Sequence, residues 1–265
     1  MKVFYINLDR RPERRIHIEE ELSRAGIHDE EKERIPAVDG RTLDLNCPQI
    51  RSLFSAQVLK EAQEEGVPFV PGSRMTRGGL GCALSHRDAY LRIQSCDNND
   101  SNDSNNGVLV LEDDVYLADR FIEKVQVLIA TAPVDYDILY LGYHESWSST
   151  PVSETWIRPT EQVFGTFALW IRASSVNHIL QSLFPVTAQL DSAYSRNLHR
   201  LRIYIPTPER CIVWPVNSME SDIQMLLSPT PTPQNDCKSG ASALLILVFI
   251  IILLMMIVVM ILLFQ

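Results

Sequence analysis

The chain is short of positive charge. Its 265 residues carry 24 Lys and Arg against 33 Asp and Glu, a formal net charge of −9. That balance excludes nucleic acid as the main partner, because phosphate backbones are gripped by cations. Neither glycine spacing that marks nucleotide binding is present. The one tight glycine cluster, Gly78-Gly79-Leu80-Gly81, fits neither G-x-x-x-x-G-K-S/T nor G-x-G-x-x-G. Five cysteines are scattered at positions 47, 82, 96, 211 and 237 with no C-x-x-C pair. An odd, dispersed set reads as reduced structural thiols rather than a disulfide framework. No internal repeat is visible. No signal peptide opens the chain, since the short apolar start runs at once into arginines and acids.

One long apolar run is present. Ala243 to Phe264 holds no charge, glycine or proline. At about 1.5 Å per residue such a helix would be roughly 33 Å long, the thickness of a bilayer's hydrocarbon. The expectation is a single-pass C-terminal anchor, with residues 1 to about 240 on the cytoplasmic side and Lys238 as the flanking charge. Residues 228–240, with Pro229, Pro231 and Pro233, read as a stalk. Residues 1–227 then form the working domain.

Within that domain, short apolar strands alternate with helical patterns. Val3 to Ile6 is a first strand. Pro12 opens a helix that ends at Gly26. Residues 34–38 suggest a second strand, Leu53 to Glu65 a helix, and Cys82 to Ile93 another. Residues 97–107 are almost pure Asn, Asp and Ser, a solvated and disordered insertion. Helices are expected at 121–130 and 173–183, and strands at 136–142, 165–171, 203–205 and 211–214. The fold class is α/β, a mostly parallel sheet flanked by helices.

The chemistry concentrates where Val108-Leu109-Val110-Leu111 runs into Glu112, Asp113 and Asp114. The apolar run is a buried strand. Three acids at its end repel one another and lose hydration unless a cation compensates. Oxygen-only ligands suit Mn²⁺ or Mg²⁺. The competing reading is a charged turn with helix-capping acids. Arg10, Arg11, Arg14 and Arg15 crowd a helix start, where cations are unfavourable unless an anion lies near. They read either as a phosphate-binding set or as a basic turn paired with Glu13, Glu19 and Glu20. The glycines at 78–81 suit close backbone approach. His86, one turn into the next helix, is either a core or capping residue or a site residue.

Six segments, in order, resemble glycosyltransferase family 25, the group of bacterial lipooligosaccharide and procollagen galactosyltransferases. They are Phe4 to Arg14, Ile35 to Gly40, Gly79 to His86, Val110 to Val115, Tyr136 to Gly142, and Gly165-Thr166 with Ala168. The similarity spans about residues 3–225. It implies a GT-A-like fold, a UDP-sugar donor, a divalent cation and inverting transfer of a hexose, galactose or glucose. The acceptor would be a hydroxyl of a glycan, glycolipid or protein. Glu112, Asp113 and Asp114 would hold the metal. Asn7, Asp9, Arg10, Arg11, Arg14, Asp39, Gly81 and His86 would serve the donor, and Asp191 would be the catalytic base.

The chain also departs from the family. Pro185-Val186-Thr187 stands where the family has Pro-Val-Asp, and Leu190-Asp191 supplies an acid four residues on. Leu169 replaces a common Tyr, and Asn217 replaces a frequent His, while Ser221-Asp222-Ile223 matches. Two other function classes stay open: a catalytically degenerate, membrane-tethered module that binds nucleotide sugar or glycan, and a metal-dependent phosphohydrolase.

Overall fold

A computed structural model describes residues 1–64, 74–97 and 107–216. In chain order the elements are β1 (Val3–Asn7), α1 (Pro12–Arg24), β2 (Lys32–Pro36), α2 (Pro48–Arg51), α3 (Ala56–Gln63), α4 (Arg77–Asp97), β3 (Gly107–Glu112), β4 (Val115–Leu117) and α5 (Phe121–Ala130). There follow β5 (Ile138–Tyr140), β6 (Glu145–Ser146), β7 (Ser149–Pro151), β8 (Trp156–Pro159), β9 (Val163–Phe164), β10 (Ala168–Arg172), α6 (Val176–Leu183), α7 (Leu190–Arg196), β11 (Ile203–Pro206) and β12 (Val213–Pro215).

The main sheet has the order β2-β1-β3-β10-β5-β11-β8-β7. β1 runs parallel to β2 and β3, whereas β10 lies antiparallel to both β3 and β5. The sheet is therefore mixed, which corrects the expectation of a mostly parallel one. Apolar pattern does not disclose strand direction when both faces are covered, and here both are.

Side chains alternate across a strand. Val3, Tyr5, Leu109, Leu111, Leu139 and Trp170 point to one face and pack with Ile18 and Leu22 of α1 and Phe121, Val125 and Leu128 of α5. Phe4, Ile6, Val108, Val110, Ile138 and Ile171 point to the other. They meet Tyr90 and Ile93 of α4, Ile179 of α6 and Tyr194 of α7. The result is helix on sheet on helix. A third apolar cluster joins α3 to the start of α4 through Val58, Leu59, Leu80 and Leu84.

The same alternation governs the strand end. One step past Leu111 turns Glu112 toward the α4 face, and the next turns Asp113 toward α1. Register places Ile6 opposite Glu112, so Asn7 at the end of β1 comes to Asp113.

Among the described residues no helix is long and apolar enough to cross a membrane. This corrects the expected single-pass anchor and the cellular placement drawn from it. That reading rested on hydropathy at 243–264 alone, and those residues, like the stalk at 228–240, Asn217 and Ser221-Asp222-Ile223, lie outside the described residues. So does the Asn/Asp/Ser-rich stretch between Asp97 and Gly107.

Candidate functional site

A cleft of about 690 Å³ opens at the carboxyl ends of β1, β2 and β3. Its size suits a nucleotide-sized ligand. Arg10, Arg14, Asp39, His86, Glu112, Asp113, Asp114 and Asp191 all line it. Asn7, Asp9, Arg11 and Gly81 do not.

Asp113 points into the protein and is almost wholly buried. Its Oδ2 accepts from Asn7 Nδ2 at 2.7 Å, and its Oδ1 lies 3.2 Å from Arg14 Nη1. The same Arg14 nitrogen reaches Asp114 Oδ2 at 3.2 Å. Arg14 is 7 % exposed, so one buried guanidinium bridges two carboxylates. Asn7 is in turn fixed from below, donating to the Arg11 carbonyl at 3.1 Å and accepting from Arg34 Nε at 3.0 Å. Asn7 therefore positions Asp113 rather than facing the cleft. Asp9 pairs with Arg34 at 2.5 Å, away from the site.

After β2, Asp39 accepts from Arg41 Nη2 at 2.5 Å and Arg10 Nε at 2.9 Å. The Arg41 guanidinium, against the opposing effect of burial, holds Asp39 well below the usual carboxylate range. Gly81 packs α4 onto the turn after β2. A Cβ there would lie 2.4 Å from the Val38 carbonyl oxygen, so only glycine permits the contact.

Glu112 meets α4 through His86, whose Nε2 lies 3.3 Å from Glu112 Oε1. Thr166 Oγ1 donates to the same oxygen at 3.1 Å. Burial works to raise Glu112, and His86 and Thr166 outweigh it, so the group titrates below its ordinary range. Its neighbours behave oppositely. Burial, then the Glu112 charge, pushes Asp114 up to about 7. Burial also raises Asp113 against the pull of Asn7 and Arg14.

Asp191 sits in the first turn of α7 and lines the same cleft. It accepts from the Gly165 backbone N–H and neighbours the Thr166 hydroxyl. Gly165 has φ of +102°, a conformation that side chains resist, and this presents its N–H. Burial, then the Glu112 charge, raises Asp191 to about 7. Thr166 has one hydroxyl proton and two carboxyl neighbours, so it links Asp191 to Glu112.

Several cleft residues escaped the sequence reading. Cys82 and Thr166 line the site, as do Trp147 and Phe164, whose rings meet edge to face at 5.6 Å. His144 is there too, its pKa lowered by burial against the Glu112 charge. The Cys82–His86 spacing of four was a readable signal for a shared helix face. Nothing in the sequence announced Trp147.

The donor set at the strand end fits a hard divalent cation. Glu112 and Asp114 offer only oxygen. Burial raises Asp113 and Asp114, and the charge of neighbouring carboxylates adds to it, a load that a bound cation would relieve.

The sequence profile described as glycosyltransferase family 25 (LPS biosynthesis protein) matches residues 1–175. A glycosyltransferase 25 family member of Drosophila pseudoobscura pseudoobscura is 32 % identical over 178 residues, 63 % of this chain and 24 % of the relative. A procollagen lysyl hydroxylase and glycosyltransferase of Acanthamoeba polyphaga mimivirus is 25 % identical over 230 residues, 85 % of this chain and 23 % of the relative. Human procollagen galactosyltransferase 2 is 29 % identical over 151 residues, 53 % of this chain and 20 % of the relative. The matched region is thus less than a quarter of each of these relatives. On the profile match and the segments that line the cleft, the chain belongs to glycosyltransferase family 25.

Proposed function

We propose that the chain transfers a hexose, galactose or glucose, from a UDP-sugar to a hydroxyl of a glycan, glycolipid or protein, with inversion. One observation carries the reading: a cleft with three acids at the end of a buried strand also holds, from a separate helix, a carboxyl group raised toward neutrality.

Glu112 and Asp114 would hold Mn²⁺ or Mg²⁺, with Asp113 locking the turn against Arg14. The bound cation would offset charge on the departing diphosphate. Arg10, paired with Asp39, lines the cleft on the side of β1 and β2, where the diphosphate is expected. The acceptor oxygen attacks the anomeric carbon, and the bond from that carbon to the diphosphate oxygen breaks. UDP leaves with the electron pair, and the acceptor's proton passes to Asp191. A base near pH 7 suits that transfer, and Gly165 and Thr166 aim it.

The test is release of UDP from UDP-hexoses, with and without Mn²⁺, in wild type and Asp114→Asn. Metal-dependent release that disappears in the variant supports the enzyme. Tight donor binding without turnover across an acceptor panel supports a binding module instead. Release of inorganic phosphate from simple phosphate esters supports a phosphohydrolase.

A further inference from the structure

Cys82 and His86 lie four residues apart on α4, which places them on one helix face. Both open to the cleft, and Glu112 reaches them from the end of β3. The three ligand atoms all lie within 4.8 Å of one another, and His86 Nε2 and Glu112 Oε1 are only 3.3 Å apart. We propose that Cys82, His86 and Glu112 form a binding site for a borderline-soft divalent cation of the Zn²⁺ type, and that its occupation withdraws Glu112 from the all-oxygen site.

The donor set decides the class of ion. Thiolate, imidazole and carboxylate suit Zn²⁺ and not Mg²⁺, Ca²⁺ or Mn²⁺. Ligand distances of about 2.0–2.3 Å in a tetrahedron separate ligand atoms by about 3.3–3.8 Å. The observed separations need only side-chain adjustment to reach that. Thiolate and carboxylate together cancel the ion's charge. Binding releases the Cys82 proton to solvent as the metal–sulfur bond forms.

The surroundings are those of a supported site. His86 Nδ1 contacts Tyr90 Oη at 3.2 Å, which orients the ring so that Nε2 faces Glu112. Thr166 holds the Glu112 oxygen from the other side. Burial, then the charges of Glu112, Asp191 and Asp114, push the Cys82 thiol up, and a cation placed among those carboxylates would offset their charge. The fourth ligand position faces the cleft, where water or a substrate oxygen would enter.

Its consequence rests on the transferase reading. Zn²⁺ held here takes Glu112 from Mn²⁺, so it inhibits by competition. The site itself stands without that reading, and the experiment separates the two. The full chain is titrated with Co²⁺ and the thiolate-to-cobalt charge-transfer absorption is recorded, alongside Mn²⁺ binding by electron paramagnetic resonance. The expected result is one strong cobalt–thiolate band per chain, with Co²⁺ affinity falling at least about tenfold in Cys82→Ser. Mn²⁺ binding stays unchanged in that variant, and Zn²⁺ inhibition of Mn²⁺-dependent UDP release is relieved. Should Cys82→Ser fail to fold, X-ray absorption on the wild-type zinc complex gives the answer. One sulfur beside nitrogen and oxygen supports the site. A cobalt band that persists in Cys82→Ser, or a zinc shell without sulfur, overturns it. Absence of UDP release in wild type with Mn²⁺ alone, before any Zn²⁺ or Co²⁺ is added, refutes the transferase, and a cobalt band seen in that same protein leaves the metal site standing.

Discussion

Replacing Arg14 by Met removes a buried cation that bridges Asp113 and Asp114. Met keeps much of the aliphatic volume, so the packing of the buried α1 face survives. What remains is two carboxylates without the Arg14 guanidinium, one of them almost wholly buried. Breaking a buried ion pair by deleting one partner costs about 3–5 kcal/mol. Arg14 is 7 % exposed, so solvent does little to soften that figure. For a domain of this size about 1 kcal/mol moves Tm by roughly 2–4 °C, which predicts a fall of roughly 6–20 °C. Acid should rescue the variant. Asp113 is already raised and Asp114 already titrates at about 7, and both rise further without Arg14. The penalty is therefore largest above pH 7 and shrinks as pH falls and the acids take up protons. Asp113→Asn added to Arg14→Met should recover part of the loss at pH 8. The assay is thermal and urea unfolding of both variants across pH 5–8. A fall below about 1 kcal/mol at pH 8, or one that does not shrink with acid, would refute the claim that Arg14 is the charge partner of these two acids.

Asp191→Asn should abolish transfer yet stabilise the protein at alkaline pH. The native carboxyl holds its proton up to about 7 against 3.8 unfolded, so stability present below pH 3.8 is lost as pH rises through 7. Asn removes that loss, worth at most about 4 kcal/mol, and scans at pH 4 and 8 check that the gain appears only at the higher pH. Asn7→Ala leaves the Asp113 and Arg34 contacts unmade and should cost about 1–3 kcal/mol; wild-type stability in urea would contradict the positioning role. Gly165→Ala forces a side chain into φ of +102° and brings its Cβ to 2.7 Å from the Phe167 ring. It should lower kcat for transfer more than it weakens UDP binding, since the displaced N–H serves Asp191. An equal loss in both would show that the loop serves the donor.

Much of this was legible because strand periodicity is strict. The run Val108 to Leu111 fixed a buried strand, and alternation then sends Glu112 and Asp113 to opposite layers, α4 and α1. Gly26 and Pro12 bounded α1, and α5 falls at Phe121–Ala130 as its amphipathic pattern suggests. Direction was not legible: β10 reads the same whether parallel or antiparallel, because it is buried on both faces. Nor was α7, a seven-residue helix whose Asp191 could be found only by family likeness. The strands β6 to β9 are two to four residues long, too short to show a period. Asn7 ends the first strand, a place that suggests a donor contact. Only the pairing of β1 with β3 reveals that it supports Asp113 instead.

The most direct test of the central claim is anomalous diffraction from crystals soaked with Mn²⁺ and UDP. A manganese peak within coordination distance of Glu112 and Asp114, bridged to the UDP diphosphate, is the predicted result. Clear density for those acids with no metal beside them, or UDP bound away from the ends of β1 to β3, would contradict it.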